Sequence, residues 1–506
     1  MATETKDVQK TEDGEQGAQR KLPKGRRYVG SKETFTYVLF DIAQSFNLDN
    51  KKTYYLTDVL IISYWWQAII SVVVSIWDII NDLFLAAIVD RTNTRIGKFK
   101  PYLLIYAIPG TAMAVIYWLM PIMFPETSGT YTPKIVTYFI LQMVMNLATS
   151  LYNIAKTGII ATITPDVLDR TRLINQANLF SSLVENLPRQ LCTIFIDLVN
   201  HGKMKVKMTS LFVYMGAGTA LCAGILALFF SFKVKERVLQ SVEKPSFKNA
   251  FSSIFKSRPL MLLMVSDFLG QFTVSANVSL YYINVMNLSS AELIVGIPGM
   301  FVTYASYAYV DKLRERFSTK LLWTVGSHWG DFLNILVYLF GQINKNYKKT
   351  WVMLFAFMAR ETLWNFVYAL RKVVPEEIRN ESIDYGEWKN GYRTEAMAGV
   401  VKGLAQKLVA TFTSGFSSIL LGLIGYKQGL KPGQQTAKTE KLLFTMVTLL
   451  PGATGMIGIL PKLFYNIDAE TKDRMYKELA VRRAETAKAI NELADNTPVN
   501  ADTEAN

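Results

Sequence analysis

The sequence predicts an all-α membrane protein: twelve transmembrane helices in two six-helix bundles, with both termini cytoplasmic. Three observations predict it. Half of the 506 residues are hydrophobic and only 19% are charged, below the roughly one quarter usual in soluble domains. Apolar runs recur at 59–77, 103–124, 211–232 and 442–460, close to the roughly 20 residues a spanning helix needs. The charge gathers in short loops and in two polar ends, residues 1–32 and 468–506. The net charge of +14 therefore reads as the basic loops of a membrane protein and not as a nucleic-acid surface.

Taken in order, residues 1–32 have no apolar core followed by a cleavage site, and are expected to be a disordered cytoplasmic tail with no removable signal. The first span, 33–57, contains "NLDNKK" at 47–52. That stretch is too polar for lipid, so it either lines a cavity or projects outward. Spans at 59–89, 101–124, 133–163, 172–200 and 209–232 complete the first bundle, 33–232. Cys192 and Cys222 fall inside spans, so no disulfide framework is expected. Residues 233–258 are the longest polar insertion and read as a cytoplasmic linker with an amphipathic piece. Spans at 259–287, 291–310, 319–341, 349–373, 394–425 and 439–465 form the second bundle, 259–467, followed by a polar cytoplasmic tail, 468–506. Lys and Arg favour the tail-side loops, which sets the orientation, although "HGKMKVK" at 201–207 keeps positive charge on the other side.

The second span carries acids inside an apolar run, "SIWDIINDLFLAAIVDRTNTRIGKFKPYLL" at 75–104. Asp78 lies about three turns before Val89, so about 16 Å deep at 1.5 Å per residue, near the middle of a ~30 Å hydrocarbon layer. Asp78, Asn81 and Asp82 fall within a wedge of roughly 100° on one helix face. An ionised carboxylate in lipid costs a few kcal/mol or more, so this face must meet the bundle interior, a partner or water. Clustered oxygens suit a hard cation such as Na⁺; two neighbouring acids also suit holding a proton. A structural ion pair with a basic residue of another helix is the third role open to them.

"WDIIND" followed by "DRTNTRIGKFKPYLL" resembles the second-helix and loop signature of the glycoside–pentoside–hexuronide:cation symporters, a family of the major facilitator superfamily. "ESIDYGEWKNGYRTEAMAGVVKGLAQKL" at 381–408, the loop before the eleventh span and its opening turns, carries a second match. "TYVLFDIAQSFN" at 36–47, "YYLTDV" at 54–59 and "LLGLIGY" at 420–426 extend it over residues 33–465. The resemblance implies the major facilitator fold and cation-coupled symport of a small sugar or glycoside by alternating access. It implies a multi-pass protein of the cell membrane, with lipid, a monovalent cation and the sugar as partners and no nucleic acid. It implies no cofactor, only a coupling cation: Na⁺, H⁺ or Li⁺.

The same resemblance gives Asp78 and Asp82 the coupling cation (as its metal ligands where the ion is Na⁺), with Asn81 beside them and Ser150 as the small hydroxyl of the fourth helix. Lys402, in "VVKG", matches a family lysine near both cation and sugar; snorkelling at a helix end is its bland alternative. It implies a gating charge network of Asp90 and Arg95 in the first half, and of Asp384, Glu387 and Arg393 in the second. Positive-inside topology alone accounts for most of the first loop's charge.

The sugar site departs from the family pattern. Asn153, Phe180 and Thr157 stand where the pattern has an acid, an arginine and a stacking aromatic, while Asp41 is kept. Candidates for an altered pocket are Asp41, Asn153 and Lys156 in the first half. In the second half they are Asp267 and Gln271 near Tyr281 and Tyr282, and Arg360 with Glu361 beside Trp364, together with Lys402. Polar side chains suit hydroxyls and aromatic faces suit sugar C–H surfaces, whereas an internal ion pair accounts equally well for Arg360–Glu361. A membrane sugar sensor, or a transporter of another solute on the same fold, is the alternative function. An enzyme is not expected: there is no HExxH, nucleophile elbow or Walker loop, and His201 and His328 are isolated in sequence.

Overall fold

A computed structural model describes residues 29–92, 96–125, 128–163, 186–234, 258–271, 277–390, 395–465 and 470–482, with scattered positions between them. Among the described residues there are helices and no strands. The principal helices of the first half are α1 (Ser31–Ser45), α2 (Tyr64–Arg91), α3 (Lys100–Met123), α4 (Thr132–Ile163), α5 (Leu187–Asn200) and α6 (Met208–Lys233). Those of the second half are α7 (Arg258–Gln271), α8 (Val278–Asn284), α9 (Ala291–Ser306), α10 (Thr319–Gln342), α11 (Thr350–Phe366), α12 (Tyr368–Asn390), α13 (Glu395–Leu423) and α14 (Ala437–Leu463). A last helix, α15, covers 470–482. By length and composition, α3, α6, α14 and the first 25 residues of α4 are apolar enough to cross a membrane. The other long helices, α2, α10 and α13, carry charged residues within their apolar runs.

The side chains show which faces meet lipid. On α2, Ile76, Ile80, Phe84 and Ile88 recur every fourth residue and are all exposed. Such a stripe suits contact with hydrocarbon. Asp78, Asn81 and Asp82 lie on the opposite side of the same helix.

Three elements differ from the sequence expectation. The span expected at 259–287 is broken into α7 and α8, and α8 starts where the Asn277 side chain accepts the Ser279 N–H as an N-cap. The segment expected as a loop before the eleventh span is helical to Asn390. Its charged face is stable because α15 packs against it. Lys472 bonds Glu381, the Trp388 indole donates to Glu478 at 2.6 Å, and Arg482 donates to the Trp388 carbonyl at 2.9 Å. Met475 and Leu479 of α15 are fully buried. The C-terminal segment is thus partly a docked helix and not wholly a solvated tail. Residues 1–28 of the tail expected at 1–32 and most of the linker 233–258 lie outside the described residues, while the first helix already begins at Ser31.

The tail-side start of α3 shows how the basic loop is organised. The Glu236 carboxylate accepts the backbone N–H groups of Lys98, Phe99 and Lys100 at 2.9, 2.9 and 3.0 Å. A carboxylate suits the partial positive charge of a helix start. Gly97 makes room: its φ is +120°, and a Cβ there would lie 2.4 Å from Glu236 Oε1.

The hydrophobic core is divided. One cluster joins both halves: Leu48, Tyr55, Trp118 and Phe212 belong to the same core as Tyr281, Met353, Leu421 and Phe444. It sits at the end remote from the chain termini. Toward the termini there are two separate cores, one around Phe40, Leu103 and Phe230, the other around Trp323, Leu370 and Tyr465.

Candidate functional site

The two halves meet most closely along α2 and α13. Small residues of α13 permit the approach: a Cβ on Gly415 would lie 2.8 Å from Val72, and one on Gly422 would lie 3.3 Å from Tyr64. Close helix packing through small residues is the usual solution in membranes. Farther along the same contact the acids of α2 face α13. Ser150 of α4 donates to Asp78 Oδ1 at 2.9 Å. Lys407 of α13 places its ammonium 2.7 Å from Asp78 Oδ2 and also bonds Asp82. Asn81 is buried beside them. Asp82 Oδ1 and Asn81 Nδ2 are buried with no hydrogen-bond partner. Buried polar atoms without partners are costly and ask for an explanation. This donor set, two carboxylates, an amide and a hydroxyl, is what a monovalent cation or a proton would meet.

Sequence reasoning brought Asp78, Asn81, Asp82 and Ser150 together, and so does the structure. It did not find Lys407. The lysine singled out from the motif, Lys402, belongs to α13, but its side chain lies outside the described ones. The available signal was the second lysine of the same "VVKGLAQKL" stretch, which lies deeper in the span.

Each half also holds a cavity. The first, about 270 Å³, is lined by Gln44, Asn47, Asp49, Lys52, Tyr106 and Asn153 among others. The polar stretch 47–52 therefore lines a cavity, one of the two roles expected for it. Beside this cavity Asp41 and Lys156 form an ion pair at 3.1 Å. Lys156 also bonds Gln44, which in turn bonds Tyr152. Phe180 is half exposed, and the Thr157 side chain lies outside the described ones.

The second cavity, about 620 Å³, is lined by Tyr282, Asn334, Arg360, Glu361, Trp364 and Arg371 among others. Arg360 donates to Asn334 at 3.0 Å and to Glu361 at 2.7 Å, and lies 4.7 Å from the Trp364 ring centre. Gly330 lets Trp364 lie against α10: a Cβ there would fall 2.5 Å from the indole nitrogen. Asp267 and Gln271 have side chains outside the described ones. Tyr281 does not reach the cavity but is a core residue donating to the Tyr347 carbonyl. His328, isolated in sequence, is not isolated in space. It bridges Asp331 at 2.9 Å and Lys462 at 2.8 Å.

Of the gating candidates, Asp384 is buried and accepts a bond from Tyr476 of α15 at 3.3 Å, and Glu387 lies on α12. Asp90, Arg95 and Arg393 lie outside the described side chains. The end remote from the termini is held shut by polar contacts between the halves. Lys51, fully buried, pairs with Glu292 at 2.6 Å. Asp58 accepts from Tyr426 at 2.9 Å and from the Gly429 N–H at 3.0 Å. Asp197 of α5 accepts the N–H groups of Ser289 and Ser290 at the start of α9.

Residues 35–469 match a family model described as MFS/sugar transport protein. The chain is 24% identical over 456 residues to the "Glucuronide carrier protein homolog" of Escherichia coli (strain K12), covering 88% of this chain and 93% of that one. It is 25% identical over 478 residues to the "Putative 2,3-dihydroxypropane-1-sulfonate exporter" of Salmonella typhimurium, covering 89% and 96%. Its fold is similar to that of the inward-open xylose transporter XylE from E. coli, with a TM-score of 0.53 at 16% identity, covering 88% and 98%.

Proposed function

The chain belongs to the MFS/sugar transport family, as one of the glycoside–pentoside–hexuronide:cation symporters of the major facilitator superfamily, and from that premise we propose that it couples movement of a cation to uptake of a sugar or glycoside. A transporter of this family is a multi-pass membrane protein and not an enzyme. In this reading twelve spans form bundles at 33–232 and 259–467, with both termini cytoplasmic. The end closed by Lys51–Glu292 and Asp58–Tyr426 then faces outside, and the separate cores face the cytoplasm. The sugar lies between the two cavities' polar walls.

The observation that carries this reading is the cluster of Asp78, Asn81, Asp82 and Ser150 facing Lys407 across the contact of the two halves. Lys407 acts as a tethered counter-ion. A coupling cation, Na⁺ or H⁺, neutralises the carboxylates and releases the ammonium. That changes what α2 and α13 can do for each other, so ion occupancy shifts the balance between the two access states by differential affinity. Asp90, Arg95, Asp384, Glu387 and Arg393 serve the cytoplasmic closure in the same cycle.

The test is the Asp82→Cys variant in proteoliposomes. It is expected to lose uphill accumulation driven by a Na⁺ or proton gradient. Accumulation equal to wild type removes the acids from coupling. The relative named as an exporter supports a second reading, in which the same coupling drives efflux; the direction of flux under an imposed gradient separates the two.

A further inference from the structure

The cavity of the second half contains three carboxylates, and each has a nitrogen partner of its own. Glu361 holds Arg360 at 2.7 Å. Glu292 holds Lys51 at 2.6 Å. Asp331 faces His328, whose far ring nitrogen meets Lys462 at 2.8 Å. One cation on the wall remains. Arg371 has no carboxylate within 4 Å among the described residues, and its Nε is buried without a hydrogen bond. Its guanidinium lies 3.9 Å from the centre of the Trp364 ring and 5.4 Å from that of Tyr368. Aromatic faces hold a guanidinium in place while leaving its edge N–H groups directed elsewhere. A guanidinium held in a cavity wall with no carboxylate in contact is poorly compensated. The planar fork of an arginine matches a carboxylate or a similar oxyanion with two parallel hydrogen bonds.

We propose that Arg371 is the recognition residue for an oxyanionic group, a carboxylate or a sulfonate, carried by a sugar-sized solute in this cavity. Trp364 orients the guanidinium. Arg360, already held by Glu361 and Asn334, shapes the wall. The solute selected is an acidic sugar and not a neutral one. The proposal rests on the sugar-transport reading and adds a charge requirement to it.

The experiment uses the full chain, purified and reconstituted, with four probes: D-glucuronate, 6-deoxy-6-sulfo-D-glucose, D-glucose and sodium sulfate. Thermal-shift titration reads binding and proteoliposome uptake reads transport. One or both acidic sugars are expected to stabilise the protein and to be taken up, and the comparison between them tells carboxylate from sulfonate. Arg371→Gln is expected to weaken that binding at least tenfold, and Arg371→Lys to an intermediate degree. The ligand-free melting midpoint of Arg371→Gln is expected to stay level or rise, because an uncompensated charge is removed; a marked fall makes Arg371 structural and overturns the proposal. Binding of glucose equal to that of the acidic sugars overturns it and leaves sugar transport standing. Stabilisation by sulfate equal to that by the acidic sugars also overturns it, as a free-anion site. Binding of neither acidic sugar overturns this inference and leaves the transport reading to the accumulation test.

Discussion

At the scale of single residues, Lys407 decides how the α2 acids behave. Its ammonium sits against Asp78 and Asp82, where the proposed coupling cation would bind. Lys407→Ala leaves two like charges side by side. The loss is expected to be about 1–2 kcal/mol, below the figure for a fully buried pair, because Lys407 is 34% and Asp82 36% exposed and solvent screens them. The variant is expected to melt lower without Na⁺ and to be rescued by NaCl, with apparent Na⁺ affinity about tenfold tighter, a change of about 1.4 kcal/mol. A Na⁺ titration by thermal shift checks this; a response identical to wild type means that the ammonium and the ion do not compete. The acids themselves were legible in the sequence, because carboxylates at mid-span are rare and expensive. Lys407 was not, because nothing along a single helix says which of two lysines a neighbouring helix will meet.

At the scale of elements, α12 and α15 show a polar segment made helical by its partner. The sequence motif at 381–390 has too little apolar surface to predict a helix. It becomes one because Glu381, Asp384 and Trp388 find Lys472, Tyr476 and Glu478. The Trp388 indole and then Arg474 hold the Glu478 carboxyl below its usual range. A carboxyl with a lowered folded value supports docking at pH above its unfolded value, and that support is lost as pH falls through the folded one. Protection of the amides across 470–482, taken relative to their intrinsic exchange rate at each pH, is therefore expected to fall below pH 4.5; Glu478→Gln is expected to reduce this pH dependence. Protection in wild type that does not change with pH would show that Glu478 does not hold α15.

At the scale of the whole molecule, closure at the end remote from the termini depends on contacts between distant parts of the chain. Lys51 is fully buried and Glu292 is 31% exposed. Breaking a buried pair from one side strands a charge and costs about 3–5 kcal/mol, more than removing both partners does. Lys51→Met is thus expected to lower the melting midpoint more than the double variant Lys51→Met/Glu292→Gln. Equal effects of the two variants would mean that the pair is not coupled. The sequence placed "NLDNKK" outside lipid, but it could not say that Lys51 would be swallowed by a pair with a residue some 240 positions away.

The sequence by itself determined the helical membrane architecture, the inward face of α2 and the acids that the proposed cation site draws on. Those follow from local chemistry: the length of an apolar run, the period of a helix and the cost of a charge in hydrocarbon. Only the tertiary structure decided which charges balance which. Lys407 against two acids, Lys51 against Glu292, His328 between Asp331 and Lys462, and Arg371 left over all depend on helices far apart in the chain meeting at one depth. Charge balance in a low-dielectric interior is settled over a few ångströms of space, and spacing along the sequence does not carry that distance.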